Sequence, residues 1–153
     1  MTDRHIDTDS VIAVLNRILE AELAGVVRYT HYSFMIFGFN RIPIVKWLRS
    51  QAAESVLHAQ EAGEMITHLG GHPSLGIGKL LESHRHDLLS ILNESLEHER
   101  EALDLYRQLL ALVDGHVMLE EYARQMIAEE SRHAGEVEKM LRAPGELGTA
   151  ATP

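Results

Sequence analysis

The sequence of 153 residues predicts an all-α protein, a four-helix bundle that forms one domain over residues 1–153. In four long stretches the apolar residues recur at alternating spacings of four and three, which places them on one side of a helix. Glycine, asparagine and proline separate these stretches, and almost no segment shows the alternation typical of a strand. Four amphipathic helices of this kind bury their apolar faces by packing together as a bundle.

The first two predicted helices are joined by a short turn. Helix one covers about residues 9–37 and ends at Gly38, because glycine accepts the backbone conformation that terminates a helix. Helix two covers about 43–69, and Pro43 suits its first turn, where a backbone N–H has no acceptor within the helix. Gly70 ends this helix, and the short turn between the two helices makes them antiparallel.

The last two predicted helices cover about 83–113 and 117–142, and we expect a loose tail over 145–153. They form a second antiparallel pair, because their connection is also short. The segment 72–82 between the two pairs contains proline and glycine and predicts a connection. About 12 residues at roughly 3.3 Å each can just span a helix of roughly 40 Å, so the length allows a crossover that makes helices two and three parallel.

Composition narrows the functional classes. The absence of cysteine excludes disulfides, thiolate metal ligands and cysteine nucleophiles. The net charge is -9 and no basic stripe is present, so we expect no nucleic-acid partner. The N-terminus lacks the apolar core of a signal peptide and no apolar run is long enough to span a bilayer, so we expect no membrane association and a cytoplasmic location.

Three carboxylates interrupt the apolar stripes and point to a metal site. Glu22, Glu99 and Glu130 each lie near the middle of their predicted helix, and therefore at one depth of the bundle. Carboxylates that meet in a low-dielectric interior repel one another, and a bound cation is the common remedy. Two histidines at comparable depth, His58 and His133, would add nitrogen ligands.

Helix two leaves one ligand open. In bundles with a di-metal carboxylate centre, two helices each give one glutamate and the other two each give a Glu-x-x-His pair. Helix four supplies Glu130-x-x-His133, whereas helix two supplies Glu54 four residues before His58 and places Ser55 at the expected glutamate position. A π-bulge would bring Glu54 inward. Without one, the site lacks a bridging ligand.

Other chemistry-bearing side chains have simpler interpretations. Tyr29 lies two turns after Glu22 on the same stripe, where it either packs in the core or acts beside the metal site. Seven further histidines have no comparable inward carboxylate partner. We expect these histidines at the surface: His31, His68, His72, His84, His86, His98 and His116.

Several short motifs together resemble the bacterioferritins of the ferritin-like superfamily. The motifs are Leu15-Asn-Arg-Ile-Leu-Glu-Ala-Glu22-Leu followed by Tyr29, His58-Ala, Leu69-Gly-Gly-His-Pro73-Ser-Leu, Leu96-x-x-Glu99 and Glu130-Ser-Arg-His133. The resemblance covers about residues 12–141. It implies a ferritin-like crossover bundle whose di-iron centre oxidises Fe(II) with O2 or H2O2, in a family that assembles into hollow iron-storing shells.

The resemblance also implies a role for each site residue. Glu22 and Glu99 would be terminal carboxylates and Glu130 a bridging one. His58 and His133 would each give one nitrogen to one of two iron ions, with Tyr29 beside the site. Carboxylate and imidazole ligands also suit manganese or zinc.

Three departures from the family pattern matter. The second bridging carboxylate is missing or displaced, since Ser55 stands at its position. The methionine that binds haem between two subunits falls at Val56, so we expect no haem. No clear fifth helix follows helix four, which leaves a dimer or another homo-oligomer as alternatives to a closed shell.

An apolar cluster near the turn between helices one and two suggests a subunit contact: Phe34, Met35, Phe37, Phe39 and Trp47.

Three functions follow from these observations. The first is a ferroxidase that binds two iron ions for iron storage or detoxification. The second is a ferritin-like metalloprotein with a peroxidase or other oxidase role that uses iron or manganese without storage. The third is a metal-free helical interaction module, in which the inward carboxylates bond to tyrosine and histidine and a chelator leaves the melting temperature unchanged.

Overall fold

The computed structural model of the chain describes residues 5–80 and 83–148 and confirms the all-α four-helix bundle. The helices are α1 (Thr8–Phe34), α2 (Arg41–His68), α3 (Leu88–Leu112) and α4 (Val117–Leu141). The described ranges contain no strand and, after α4, no fifth helix. None of these helices is long and apolar enough to cross a membrane.

Two helix ends differ from the sequence prediction by three residues or more. Helix α1 stops three residues early, at Phe34, and Gly38 then adopts a φ of 99° in the turn. Helix α3 begins at Leu88 rather than near Ser83, because the Asp87 side chain caps it by accepting a hydrogen bond from the Ser90 N–H. Of the predicted tail, residues 149–153 lie outside the described ranges.

The connection from α2 to α3 runs along α1. The Ser74 N–H donates to Asn16 Oδ1 at 2.7 Å, and the Gly78 N–H donates to the Glu20 carbonyl at 2.8 Å. Glycine is needed at position 78, because a Cβ there would lie 2.9 Å from that carbonyl oxygen. Since α2 ends beside the start of α1 and the connection then follows α1 toward its C-terminus, α3 begins beside the end of α1 and runs parallel to α2.

A polar layer divides the bundle core. One apolar cluster fills the end that holds the start of α1, with Leu15, Ile66, Leu109 and Met126 among its members. Two smaller clusters fill the other end. Buried Glu22, which follows the first cluster along α1, belongs to the polar layer between them.

The helices of the bundle do not all approach one another equally closely. Helix α1 packs against α2 and α3, and α3 packs against α4. In the described ranges, no Cα atom of α2 comes within 8 Å of one in α4. The contact between α2 and α4 is therefore made by side chains, without close approach of the two backbones.

Candidate metal centre

Three carboxylates meet in the polar layer. Glu22, Glu99 and Glu130 are only 3%, 4% and 2% exposed. Their ligand atoms and those of His58 and His133 form two groups, each with all atoms within 4.8 Å of one another. One group is Glu22, His58 and Glu130, and the other is Glu99, Glu130 and His133. Glu130 is common to both groups, as a bridging carboxylate would be.

The two imidazoles flank Glu130. His58 Nδ1 lies 3.2 Å from Glu130 Oε1, and His133 Nδ1 lies 3.9 Å from Glu130 Oε2. The rings are nearly parallel, with an interplanar angle of 18° and centroids 6.4 Å apart. Each histidine therefore presents Nδ1 to the shared carboxylate.

The opposite nitrogens face two carboxylates at the rim between α2 and α4. His58 Nε2 lies 3.0 Å from Glu129 Oε2, and His133 Nε2 lies 2.9 Å from Glu54 Oε2. These carboxylates are partly solvent-exposed, at 30% for Glu129 and 45% for Glu54. A carboxylate at Nε2 favours the proton there and leaves Nδ1 as the ligand atom. No pattern in the sequence singled out Glu129, because it lies off the apolar stripe of α4.

Helix α2 carries Ser55 inside the bundle and Glu54 at its rim. Helix α2 is α-helical throughout, without a π-bulge, and Ser55 faces the interior. Glu54 lies at the rim and belongs to neither group of ligand atoms found among the described residues. Among the described residues, Glu130 is therefore the one carboxylate common to both groups, where the di-metal pattern would have two bridging carboxylates.

Glu22 and Glu99 each accept a hydrogen bond from a buried tyrosine on the opposite helix. The Tyr29 hydroxyl donates to Glu99 Oε1, and the Tyr106 hydroxyl donates to Glu22 Oε1 at 3.0 Å. Each tyrosine follows the glutamate of its own helix by two turns, so the antiparallel pair α1 and α3 makes the contact twice. Tyr29 was singled out from the sequence, and Tyr106 was not. The repeated glutamate-to-tyrosine spacing was the available signal.

Burial changes the protonation of this cluster. Desolvation raises the pKa of Glu22, and it raises the pKa of Glu99 well above its usual range, helped by the hydrogen bond and charge of Glu130. Although burial opposes the imidazolium, hydrogen bonds to Glu130 and Glu22 raise the pKa of His58 to about 11. Without metal, burial therefore favours the protonated forms of Glu22 and Glu99, and the neighbouring carboxylates favour the imidazolium of His58.

His98 was expected at the surface, and that prediction was wrong. The residue is only 5% exposed, and its ring lies edge-on to the Tyr29 ring with centroids 5.9 Å apart. Burial, together with the positive charge of Arg28, lowers the pKa of His98 to about 4. The His98 ring fits because Gly25 has no Cβ. A Cβ on Gly25 would lie 2.8 Å from both His98 Nε2 and Ser55 Oγ.

The donor set fits a pair of divalent cations. Each group offers two carboxylates and one imidazole, and oxygen-rich ligation with imidazole suits iron, manganese or zinc. The space among these side chains has no room for a water molecule. Three carboxylates packed this tightly need cations or protons to coexist.

A family comparison agrees with the fold. The family model of the ferritin-like domain matches residues 12–144. The chain belongs to the ferritin-like domain family. No curated protein matched this ferritin-like chain.

Solved structures with the same fold include three informative relatives. A ferritin-like, diiron-carboxylate protein of Bacillus anthracis str. Ames is 23% identical, with a TM-score of 0.82 and coverage of 91% of this chain and 100% of that one. A dodecameric thioferritin, the bacterioferritin-related protein of Bacteroides fragilis, is 24% identical, with a TM-score of 0.82 and coverage of 89% and 86%. The Desulfovibrio desulfuricans bacterioferritin, described with a diiron site, is 22% identical, with a TM-score of 0.79 and coverage of 88% and 79%.

Proposed function

We propose that this ferritin-like protein binds two iron ions inside its bundle and oxidises Fe(II) with O2 or H2O2. The observation that carries the proposal is the pair of buried ligand groups that share Glu130. Glu22 and His58 would hold one cation, Glu99 and His133 the other, and Glu130 both. The names of the Bacillus anthracis and Desulfovibrio desulfuricans proteins, which mention diiron centres, support the same assignment.

The protein side chains have three tasks in this proposal, while iron supplies the redox chemistry. The carboxylates balance the cation charge, and the packed interior excludes water from the site. Glu54 and Glu129 orient the two imidazoles from the rim. Tyr29 and Tyr106 hold the terminal carboxylates in position through their hydroxyl groups.

The direct test compares variants in a rapid Fe(II) oxidation assay. Glu130→Ala removes the shared ligand and should abolish rapid oxidation. His133→Ala should do the same. Glu121→Ala is the matched control, because this exposed glutamate lies on the same helix and belongs to neither ligand group. Oxidation by Glu130→Ala at the rate of the parent protein would contradict the proposal.

Iron loading separates two versions of this function. Storage predicts many iron ions per subunit after repeated Fe(II) additions, whereas an isolated redox centre predicts two or fewer. In the part of the chain that the structure describes, no second interior carboxylate is shared by the two groups, which favours the isolated centre with a peroxidase or other oxidase role. Metal analysis of protein purified without a chelator identifies iron or manganese and gives the stoichiometry.

We also propose that the protein forms a homo-oligomer. Three large apolar side chains near the turn between α1 and α2 are highly exposed in the single chain: Phe37 at 78%, Phe39 at 108% and Ile42 at 84%. An apolar patch of this kind marks an interaction surface. The Bacteroides fragilis protein with the same fold is described as dodecameric, which supports assembly without setting the number of subunits here.

A further inference from the structure

We propose that His31 and His86 bind one transition-metal ion at the edge of the bundle, outside the carboxylate centre. His31 lies in the last turn of α1, and His86 directly precedes Asp87, the N-cap of α3. The ion would be one that prefers imidazole, such as Ni²⁺, Cu²⁺ or Zn²⁺, and it would tie the segment before α3 to the end of α1. Neither histidine belongs to the ligand groups of the centre, so this site goes beyond the proposed function and does not depend on it.

The first argument is the distance between the two imidazole rings. The ring centroids of His31 and His86 lie 6.0 Å apart, and the ring planes meet at 66°. A nitrogen-to-metal distance of about 2.1 Å puts a ring centre roughly 3 Å from the ion, so two rings on one ion have centres roughly 4.5 to 6.5 Å apart. The observed separation lies within this range. His31 is exposed, so its side chain can adjust to the ion without moving the core.

The second argument is a pair of buried polar atoms without partners. His86 Nε2 and Glu94 Oε2 are both buried and find no hydrogen-bond partner in the described part of the chain. Glu94 belongs to the same corner of the molecule, because its Oε1 accepts a hydrogen bond from the hydroxyl of Ser83, three residues before His86. Buried polar atoms without partners are unfavourable. A metal ion would bind the imidazole nitrogen and attract the carboxylate.

The third argument is the charge of this corner. The C-terminal end of a helix carries a partial negative charge, and His31 lies at that end of α1. Arg28, one turn before His31, brings an opposing positive charge. Its guanidinium donates to the carbonyl oxygens of Lys79 and Glu94, at 3.4 and 3.3 Å. Backbone groups therefore satisfy Arg28, and the Glu94 carboxylate remains to balance a cation.

The ligand atoms determine which metals this site prefers. Among the described residues, no third histidine or carboxylate completes a close group of ligand atoms with this pair, so water would fill the remaining positions. Imidazole ligands without carboxylates favour Ni²⁺, Cu²⁺ and Zn²⁺ over Mn²⁺, whereas the oxygen-rich centre suits iron and manganese as well. The two sites should therefore differ in the metals that they take up.

The first test is a calorimetric titration of the metal-free full-length protein with Ni²⁺. His31→Gln and His86→Gln should each bind one Ni²⁺ per chain fewer than the parent protein. His68→Gln is the matched control, because His68 is also an exposed histidine in the last turn of its helix, and this variant should keep the stoichiometry of the parent. The same stoichiometry in His86→Gln and the parent would overturn the proposal.

A variant of the centre separates the two sites. Glu130→Ala removes the shared ligand of the centre and should still bind Ni²⁺ through His31 and His86. With one Cu²⁺ per chain, electron paramagnetic resonance of this variant should show coupling to two imidazole nitrogens. Adding His31→Gln should remove one of these couplings, and an unchanged spectrum would exclude His31 as a ligand.

Limited proteolysis tests whether the ion ties the two segments together. Arg85 is exposed and directly precedes His86, so trypsin can cut the chain between them. Ni²⁺ at about 100 times the dissociation constant should slow this cut by about tenfold or more, because cleavage requires the segment to leave α1. His31→Gln keeps the same peptide bond and controls for effects of Ni²⁺ on trypsin, so its cleavage rate should not change. Equal protection of His31→Gln and the parent would contradict the link between α1 and the segment before α3.

Discussion

Single hydrogen bonds decide how the buried carboxylates are held. Glu22 and Glu99 each receive a tyrosine hydroxyl from the opposite helix, and Glu130 lies between two imidazole nitrogens. A buried acceptor that loses its donor retains the full cost of desolvation. Side chains without direct contact to a metal ion can therefore control both stability and metal affinity.

Tyr106→Phe tests the role of one of these hydrogen bonds, the bond from the Tyr106 hydroxyl to Glu22. Loss of the hydrogen bond to Glu22 should lower the free energy of unfolding of the metal-free protein by about 1–2 kcal/mol. It should also weaken metal binding by roughly 10- to 100-fold, as is typical when a group that orients a ligand is removed. Urea denaturation and calorimetric metal titration measure the two effects.

Tyr122→Phe is the matched control for that experiment. The Tyr122 hydroxyl is buried and finds no hydrogen-bond partner in the described part of the chain, while its ring packs against Tyr106 with centroids 6.2 Å apart. Removing this hydroxyl should leave stability unchanged or slightly higher. If Tyr122→Phe and Tyr106→Phe lose equal stability, the bond to Glu22 has no special role.

At the scale of the helices, Gly25 allows α1 to pack closely against α2 and α3 beside the candidate metal centre. Gly25 lies in the interior of α1, where alanine would normally be the better helix former. The missing Cβ leaves space for Ser55 of α2 and His98 of α3. The identity of this residue therefore depends on helix packing rather than on helix propensity.

Gly25→Ala should destabilise the bundle by about 1–3 kcal/mol, because the added methyl group forces buried neighbours to move. Gly63→Ala and Gly135→Ala are matched controls: both glycines lie inside helices and have nothing within 4 Å of an added Cβ. Each control should stabilise the protein by about 0.5–1 kcal/mol through helix propensity. Thermal or urea unfolding of the three variants distinguishes the two effects, and a stabilised Gly25→Ala would contradict the packing argument.

For the whole molecule, the centre joins all four helices, so cation binding and folding are coupled. Glu22 comes from α1, His58 from α2, Glu99 from α3, and Glu130 with His133 from α4. A ligand that binds only the folded chain stabilises it by mass action. The unfolding transition therefore reports metal binding without any activity assay.

Divalent cations at about 100 times the dissociation constant should stabilise the fold by about 2.7 kcal/mol per occupied site. The melting temperature should rise with added Mn²⁺ or Zn²⁺ and return to its metal-free value with EDTA. Glu130→Ala should lose most of this response. A melting temperature indifferent to both cation and chelator would favour the metal-free interaction module.

Assembly is the second property of the whole molecule. Phe39→Ser combined with Ile42→Ser should reduce the proposed self-association, because both side chains are exposed in the apolar patch. Leu112→Ser, a partly exposed apolar residue at the far end of the bundle, should not reduce it. Sedimentation velocity measures the distribution of oligomers, and an unchanged distribution in the double variant would exclude this patch as the main contact.

The sequence by itself determined the helices and the presence of buried acids. The spacings of four and three in helix one predict eight positions on one face, and all eight are buried in the structure: Val11, Leu15, Ile18, Glu22, Gly25, Tyr29, Tyr32 and Ile36. Periodicity was sufficient there because an apolar face must be covered, whichever helix covers it. The same reasoning placed Glu22, Glu99 and Glu130 in the interior.

Only the tertiary structure decided which side chains share a space. His98 lies next to charged residues in the sequence, yet it is buried because Gly25 of another helix leaves room for it. Glu54 stays at the rim and contacts His133 because α2 remains regular through Ser55. Helical periodicity gives the direction of a side chain on its own helix. The distance to the neighbouring helix decides whether a side chain in that direction is buried in the protein or exposed to solvent.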